Sequence, residues 1–357
     1  MDNLKIKELR LRNFRNFKEK DFFFEDVNII YGKNAQGKTN ILEAIYYLCN
    51  FKPIKTSKEV DLVNFDSDYA YINGIFEDEG DLIDREVYIS KDGTKKLKEM
   101  GHDVKKIKDL SRKYGTIFFS PDNLSLIKGS PSVRRRFFDG IISDIKPIYY
   151  NYLKDYYKFL MQKNKLLKNY DKKFYNRELL EVFNEEIINL SAVIIKLRIA
   201  FIKRFKPLIN DLYKDFSGDN SQIDLYYNSP IAEIGDFSID EIKTRLREEI
   251  DRNYQGPHTD DYVFLCGGRD IKRYGSQGEI RTLVLSLIFG KGKIAFESAV
   301  KTPIILLDDV LYELDFNRRE KLLKNNFGQI FITTTDLKNL PEEILKKALL
   351  ISLPKEG

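Results

Sequence analysis

The spacing of apolar and polar positions changes period several times along the chain. Leu4 to Phe14 (LKIKELRLRNF) alternates apolar with polar residues, as a half-buried strand does. Val27 to Tyr31 (VNIIY) is short, mostly apolar and rich in β-branched residues, which predicts a strand buried on both faces. Glycines break the pattern in GKNAQGKTN, and ILEAIYYLCNF resumes it at helical spacing. Residues 68 to 100 alternate again in YAYINGIF and REVYIS. Turn residues at Asp78 to Asp81 and at Asp92-Gly93 make these segments antiparallel hairpins.

The middle of the chain has a longer period. Leu180, Phe183, Ile187, Leu190, Ile194, Leu197 and Phe201 recur at alternating steps of three and four, a heptad seam. Leu153, Tyr156, Leu160, Lys163 and Leu167 follow the same steps with one lysine interrupting, and polar Asp171 to Asn176 separates the two runs. Residues 143 to 212 therefore predict two antiparallel helices forming an arm, the second kinked or ended by Pro207. Such a seam is core packing and carries no ligand site. Beyond it, VLSLIF predicts helix, while PIILLDD and QIFITTT predict apolar strands with polar carboxyl ends. Open parallel sheets bind ligands beyond such ends. The fold expected is α/β: a P-loop head with a mixed sheet, built from residues 1–130 and 251–357, with a helical arm at 131–250.

Composition narrows the class. The 357 residues are 42% hydrophobic and 32% charged, enough for a core and a soluble surface. Cys49 and Cys266 lie far apart, and neither His102 nor His258 has ligands at metal spacing. This argues against a disulfide scaffold or zinc and for a reducing cytoplasm. No uncharged stretch approaches the ~18 apolar residues of a membrane span, so no membrane partner is expected. The net charge of +5 is small for this length. Ser143 to Asp215 alone holds 15 Lys or Arg against 9 Asp or Glu, however, and Lys91 to Lys113 is a second basic stretch. Each reads equally as a polyanion surface or as solvated lysine faces.

The glycine-rich break carries the chemistry. Gly32-Lys33-Asn34-Ala35-Gln36-Gly37-Lys38-Thr39 fits the Walker A pattern. In it, backbone N–H groups turn inward on phosphate oxygens, the lysine reaches the β and γ phosphates and the threonine hydroxyl meets magnesium. A buried strand before it and a helix after it are the context the pattern needs, and the helix start adds the positive end of its dipole. Asn40, next along that helix, is counted with the ATP-binding set. Pro303 to Asp309 (PIILLDD) reads as the matching Walker B strand. Asp308 is expected to hold magnesium, and Asp309 to act as general base on the attacking water.

Asp308 to Asp315 (DDVLYELD) lines up with the D-E-P-x-x-x-L-D run of ABC ATPases, whose last residues form the D-loop, and Ser276-Gln277-Gly278-Glu279 resembles their S-G-G-Q signature. Residues 11–17 (LRNFRNF), 119–124 (FSPDNL), 129–131 (GSP), 134–139 (RRRFFD) and 256–261 (GPHTDD) narrow the resemblance to the RecF family, in the chromosome-maintenance branch of these ATPases. The resemblance implies a weak, DNA-stimulated ATPase whose heads dimerise around ATP. Ser276 and the backbone at Gly278 would meet nucleotide held by the other copy's Walker A, with Ser276, Lys38 and Asp309 as the catalytic set. It further implies Arg15 near the γ phosphate, and Thr335 at the place of the switch histidine. Implied partners are duplex DNA and its single-strand junctions, RecR and RecO, and indirectly RecA, in a nucleoid-associated cytoplasmic setting. Departures from the wider pattern are Asp309 for the catalytic glutamate, Glu279 for the signature glutamine and Tyr312 for a D-loop serine; these and Thr335 point to slow turnover. No residue is assigned to the Q-loop. Arg134 to Arg136 fit either phosphate contacts or salt bridges, and His258 fits support of a turn beside Pro257. The rival readings are an ABC transporter's nucleotide-binding subunit, a P-loop kinase, and a DNA-binding scaffold with a merely structural nucleotide.

Overall fold

The structure, a computed structural model, describes residues 4–54, 56, 58–104, 115–168, 177–218, 221–231, 237–251, 255–296, 303–309, 328–340 and 342–353. The strands in chain order are β1 (Lys5–Phe14), β2 (Phe17–Phe23), β3 (Val27–Tyr31), β4 (Tyr69–Asp78), β5 (Asp81–Ser90), β6 (Lys95–Glu99), β7 (His102–Asp103) and β8 (Thr116–Phe119). There follow β9 (Ile223–Asn228), β10 (Asp261–Cys266), β11 (Arg269–Asp270), β12 (Ile304–Leu307), β13 (Ile330–Thr334) and β14 (Leu349–Ser352). The chain divides into two units, 1–123 with 291–357, and 124–290.

In the first unit, parallel and antiparallel pairing occupy separate sheets. One is antiparallel, in the order β2-β1-β4-β5-β6-β7; the other, β14-β3-β13-β12-β8, is parallel at every junction. The apolar runs of β3, β12 and β13 are buried as such runs must be in a parallel sheet: Ile29, Ile30, Ile305, Leu306, Phe331 and Ile332 are fully covered. Gln329 ties the two sheets. Its amide donates to the carbonyls of Ile6 and Glu25, both at 2.8 Å, and its Oε1 accepts from the Ile6 N–H at 2.8 Å. The helix Lys38–Asn50 buries Ile41, Leu42, Ile45 and Leu48 in the same core. Near its end, buried Arg85 donates to the Leu48 carbonyl at 2.6 Å, a cation on one of the carbonyls a helix terminus leaves without a partner.

The second unit contains a three-stranded sheet, β11-β10-β9, and the arm helices Pro147–Lys168 and Arg177–Ser217. The arm helices pack on each other, with the Phe159 and Phe183 rings 6.1 Å apart. Of the heptad positions, Ile187, Ile194 and Phe201 are buried and Leu180, Phe183, Leu190 and Leu197 half-buried. The polar link Asp171 to Asn176 lies outside the described residues. One expectation is narrowed and another corrected. Of a kink or an end at Pro207, the end is excluded, since the second arm helix runs through it to Ser217. Buried Ile209, Leu212, Tyr213 and Phe216 hold its last turns, so packing outweighs the hydrogen bond proline removes. Residues 251–290, expected with the ATPase lobe, belong to the arm unit instead. β10 pairs along its length with β9, and Phe138 stacks on Tyr262 at 4.0 Å between centroids.

A buried polar network links the segments 134–139 and 256–261. Arg198 donates to Asp139 (2.8 and 2.9 Å), the Tyr149 and Tyr227 hydroxyls (3.1 Å each) and the Pro257 carbonyl (2.7 Å). Arg134 forms a bidentate pair with Asp261 at 2.7 and 2.9 Å, and Arg135 donates to the Asp260 carbonyl at 2.5 Å. Of the two readings of Arg134, the salt bridge is the one present. His258 supports its turn, in which the Thr259 N–H reaches the Gly256 carbonyl at 2.9 Å, and it also meets the Tyr156 hydroxyl at 2.6 Å.

Candidate functional site

The parallel sheet positions the phosphate loop. β3 ends at Tyr31, and the loop runs from Gly32 to Gly37 before the helix begins at Lys38. Gly37, at φ 90°, could not carry a side chain: an added Cβ would stand 2.6 Å from Asn16 Oδ1 and 2.7 Å from the Phe17 ring. Ala35 is also left-handed, at φ 68°. Lys38 is 5% exposed and its ammonium lies inside the loop, donating to the carbonyls of Gly32 (2.9 Å) and Lys33 (3.0 Å). The loop is thus shaped around a cation before any phosphate arrives.

The Walker B acid meets the loop directly. Asp308 follows β12, and β13 lies between β12 and β3. Thr39 Oγ1 is 2.8 and 2.9 Å from the two Asp308 carboxylate oxygens. Buried Thr333, near the end of β13, donates to Asp308 Oδ1 at 2.9 Å, and its hydroxyl accepts the Asp309 N–H at 2.9 Å. Asp309 is left-handed, at φ 51°. Thr333 thus spans both aspartates, a role the sequence reading missed while it looked two residues on. Thr335 itself stands exposed just past the strand. The signal was the threonine run closing an apolar strand.

Arg15 takes a specific set of partners. Its guanidinium pairs with buried Glu43 at 2.8 and 3.1 Å and donates to the Asp61 carbonyl at 2.8 Å. Asn16, also missed, accepts from Asn40 at 2.7 Å and donates to the Gln36 carbonyl at 3.4 Å, so the β1–β2 turn braces the phosphate loop. The LRNFRNF segment folds this way because Asn13 and Arg15 both turn left-handed, at φ 52° and 53°.

Ser276 and Gly278 lie in the second unit, where the helix Gln277–Phe296 begins. Ser276 is exposed, and with Glu279 it forms a reciprocal cap. The Ser276 N–H donates to the Glu279 carboxylate at 2.7 Å, and the Glu279 N–H donates to Ser276 Oγ at 3.2 Å. The four letters read as a signature are also a capping box. The D-loop residues Val310 to Asp315, Tyr312 among them, and residues 105–113 of the second basic stretch lie outside the described residues.

This donor set fits a magnesium–nucleotide. Magnesium takes one or two protein oxygens and leaves its other positions to phosphate and water, which Thr39 beside Asp308 permits. Among the described residues there is no group of three or more His, Cys, Asp or Glu that could hold a metal ion. Nor is any described helix long and apolar enough to cross a membrane.

Residues 5–348 match the family described as the RecF/RecN/SMC N terminal domain. The DNA replication and repair protein RecF of Bacillus subtilis (strain 168) is 37% identical over 358 residues, covering 96% of each chain. Its counterpart in Halalkalibacterium halodurans is 32% identical, over 99% of this chain and 100% of that one. Among solved structures, the recombination mediator protein RecF with ATPrS superposes with a TM-score of 0.81 at 33% identity, over 95% of both chains; RecF with ATP gives 0.79 at 34%, over 95% and 94%. The Smc head of Pyrococcus furiosus, at TM-score 0.53 and 15% identity over 98% and 94%, shares the fold.

Proposed function

The chain belongs to the RecF family, ATP-binding DNA replication and repair proteins built on the ABC-type head, and from that premise we propose that ATP acts in it as a dimerisation switch on DNA. The observation that carries the reading is the contact of Thr39 with Asp308 beside a lysine held inside the glycine loop. Lys38 gives up loop carbonyls in favour of phosphate oxygens, and the N–H groups of the loop and helix start face the same charge. Thr39 and Asp308 would hold magnesium, which when bound would supply charge neutralisation at the phosphates. Asp309, fixed through its N–H by Thr333, holds the water and takes its proton. Its side chain is one methylene shorter than glutamate, and the histidine position is Thr335, a poor proton acceptor, so turnover is slow; stimulation by DNA is what the family resemblance adds.

Ser276 of one copy meets the nucleotide held by the glycine loop of the other, with Lys38, Ser276 and Asp309 acting together across the pair. The γ phosphate favours the closed pair because only that state contacts it from both sides; hydrolysis removes the difference. The closed pair grips duplex DNA by its backbone at gaps, with RecO and RecR as the mediators through which RecA is loaded, in the nucleoid. An ABC transporter subunit would share the Walker motifs, yet the identity across nearly the whole chain lies with RecF proteins. Ser276→Arg tests the sandwich: ATP binding is expected to persist by nucleotide fluorescence while ATP-driven dimerisation is lost. Full dimerisation by this variant would refute it.

A further inference from the structure

The first arm helix, Pro147–Lys168, has one face the proposed head mechanism does not use. Tyr156 is buried and Leu153, Leu160 and Lys163 are half-buried. At about 100° per residue, Tyr150, Lys154, Tyr157, Lys158, Lys165 and Lys168 fall together on the opposite side. All six are exposed, Tyr150 at 57% and Tyr157 at 47%. Among the described residues none of the four lysines makes an ion pair. The helix's one carboxylate, Asp155, lies off this face. Of the acidic residues at the start of the neighbouring helix, Glu181 pairs with Arg177 at 3.1 Å and Glu185 with Arg247 at 2.8 Å.

Lysines alone would suit any polyanion. What narrows the ligand is the interleaving of exposed aromatic rings. Tyr150 and Tyr157 stand two turns apart, about 10.5 Å along the axis, with Lys154 between them, and the lysines continue to Lys168 for a span of about 21 Å. Tyr157 makes an edge contact with Tyr156 at 5.4 Å, and the Tyr156 hydroxyl in turn meets His258 at 2.6 Å. A paired duplex keeps its base faces stacked inside. An unpaired strand offers both a phosphate chain for the lysines and free base faces for the rings.

We propose that this stripe is a binding track for single-stranded DNA, its phosphates on Lys154, Lys158, Lys165 and Lys168 and its bases stacked on Tyr150 and Tyr157. The assignment rests on the DNA reading above but adds a strand type and a location to it. The test is fluorescence anisotropy of the full chain, with magnesium and an ATP analogue, on a labelled oligothymidylate of about 20 nucleotides and on a duplex of the same length. Two variants are compared with the unmodified chain. Y150A/Y157A is expected to weaken oligothymidylate binding by about tenfold per ring removed while leaving the duplex affinity in place. K154Q/K158Q/K165Q/K168Q is expected to lower the slope of log affinity against log salt by about 2 to 3 on the single strand. Equal losses on duplex would make the stripe a general backbone track and overturn the single-strand assignment. Unchanged binding of both DNAs by both variants would overturn the track altogether and leave the face to a protein partner. An unmodified chain that binds neither DNA would sink the DNA reading itself, and this proposal with it.

Discussion

Asp309 shows how much a single residue can be set by its neighbours. Its backbone is left-handed, a conformation non-glycine residues adopt at some cost, and the Thr333 hydroxyl holds its N–H there. That fixes Asp309 through its backbone, whereas Asp308, one residue earlier, is fixed through its carboxylate by Thr39 and Thr333. In the proposed mechanism the first of these would be the water-holding residue and the second the metal-holding one. Asp309→Asn keeps the shape and removes the proton acceptor. ATP binding should persist, phosphate release should fall by about 100-fold or more, and the ATP-bound pair should accumulate. Phosphate release assays and light scattering read the two effects, and normal turnover would strip Asp309 of the base role. The Walker residues were legible because their spacing is itself the chemistry. Thr333 was not, because a threonine inside an apolar strand looks like ordinary β-former until the sheet order brings it between the two acids.

Among the elements, the start of the signature helix is the most instructive. Ser-x-x-Glu before an apolar run is a helix start on local grounds, and here the cap forms. In the proposed pair the same carboxylate would face a phosphate of the other copy's nucleotide. Glutamine also closes a capping box but carries no charge. Glu279→Gln should therefore tighten ATP-driven dimerisation by about three- to tenfold, the effect of one charge at a helix end counted on both copies. Weaker dimerisation measured by sedimentation would mean the carboxylate contributes a contact of its own. The first arm helix gives a second test. Burial and the charges of Arg135 and Arg198 hold His258, its partner through Tyr156, below the ordinary imidazole value of 6.5. The folded state then favours the neutral ring, so the unfolded chain binds the proton more readily and stability falls as pH drops through and below about 6.5. Urea denaturation of the chain and of His258→Gln between about pH 5 and 8 should show a gap that narrows toward acid. A constant gap would mean that the ring does not change its charge. The arm was legible as a seam, but the run of its second helix past Pro207 was not, since the residues that cover the far turns are remote in sequence.

For the whole molecule, the order of motifs along the chain was a better guide to chemistry than to architecture. Walker A, Walker B and the threonine strand end belong to one parallel sheet, as strands with polar carboxyl ends suggested. The signature, though close to Walker B in sequence, folds with the arm unit, because β9 and β10 pair across more than thirty intervening residues and periodicity carries no record of that pairing. In the proposed ATP switch the two units would have separate parts, one gripping nucleotide and the other presenting Ser276. In the proposed switch these parts come from different copies. The direct measurement is the mass of the full chain by light scattering, with magnesium and a slowly hydrolysed ATP analogue, against the same chain with ADP. Twice the chain mass with the analogue and the single mass with ADP is the predicted result; the same mass in both states would contradict it.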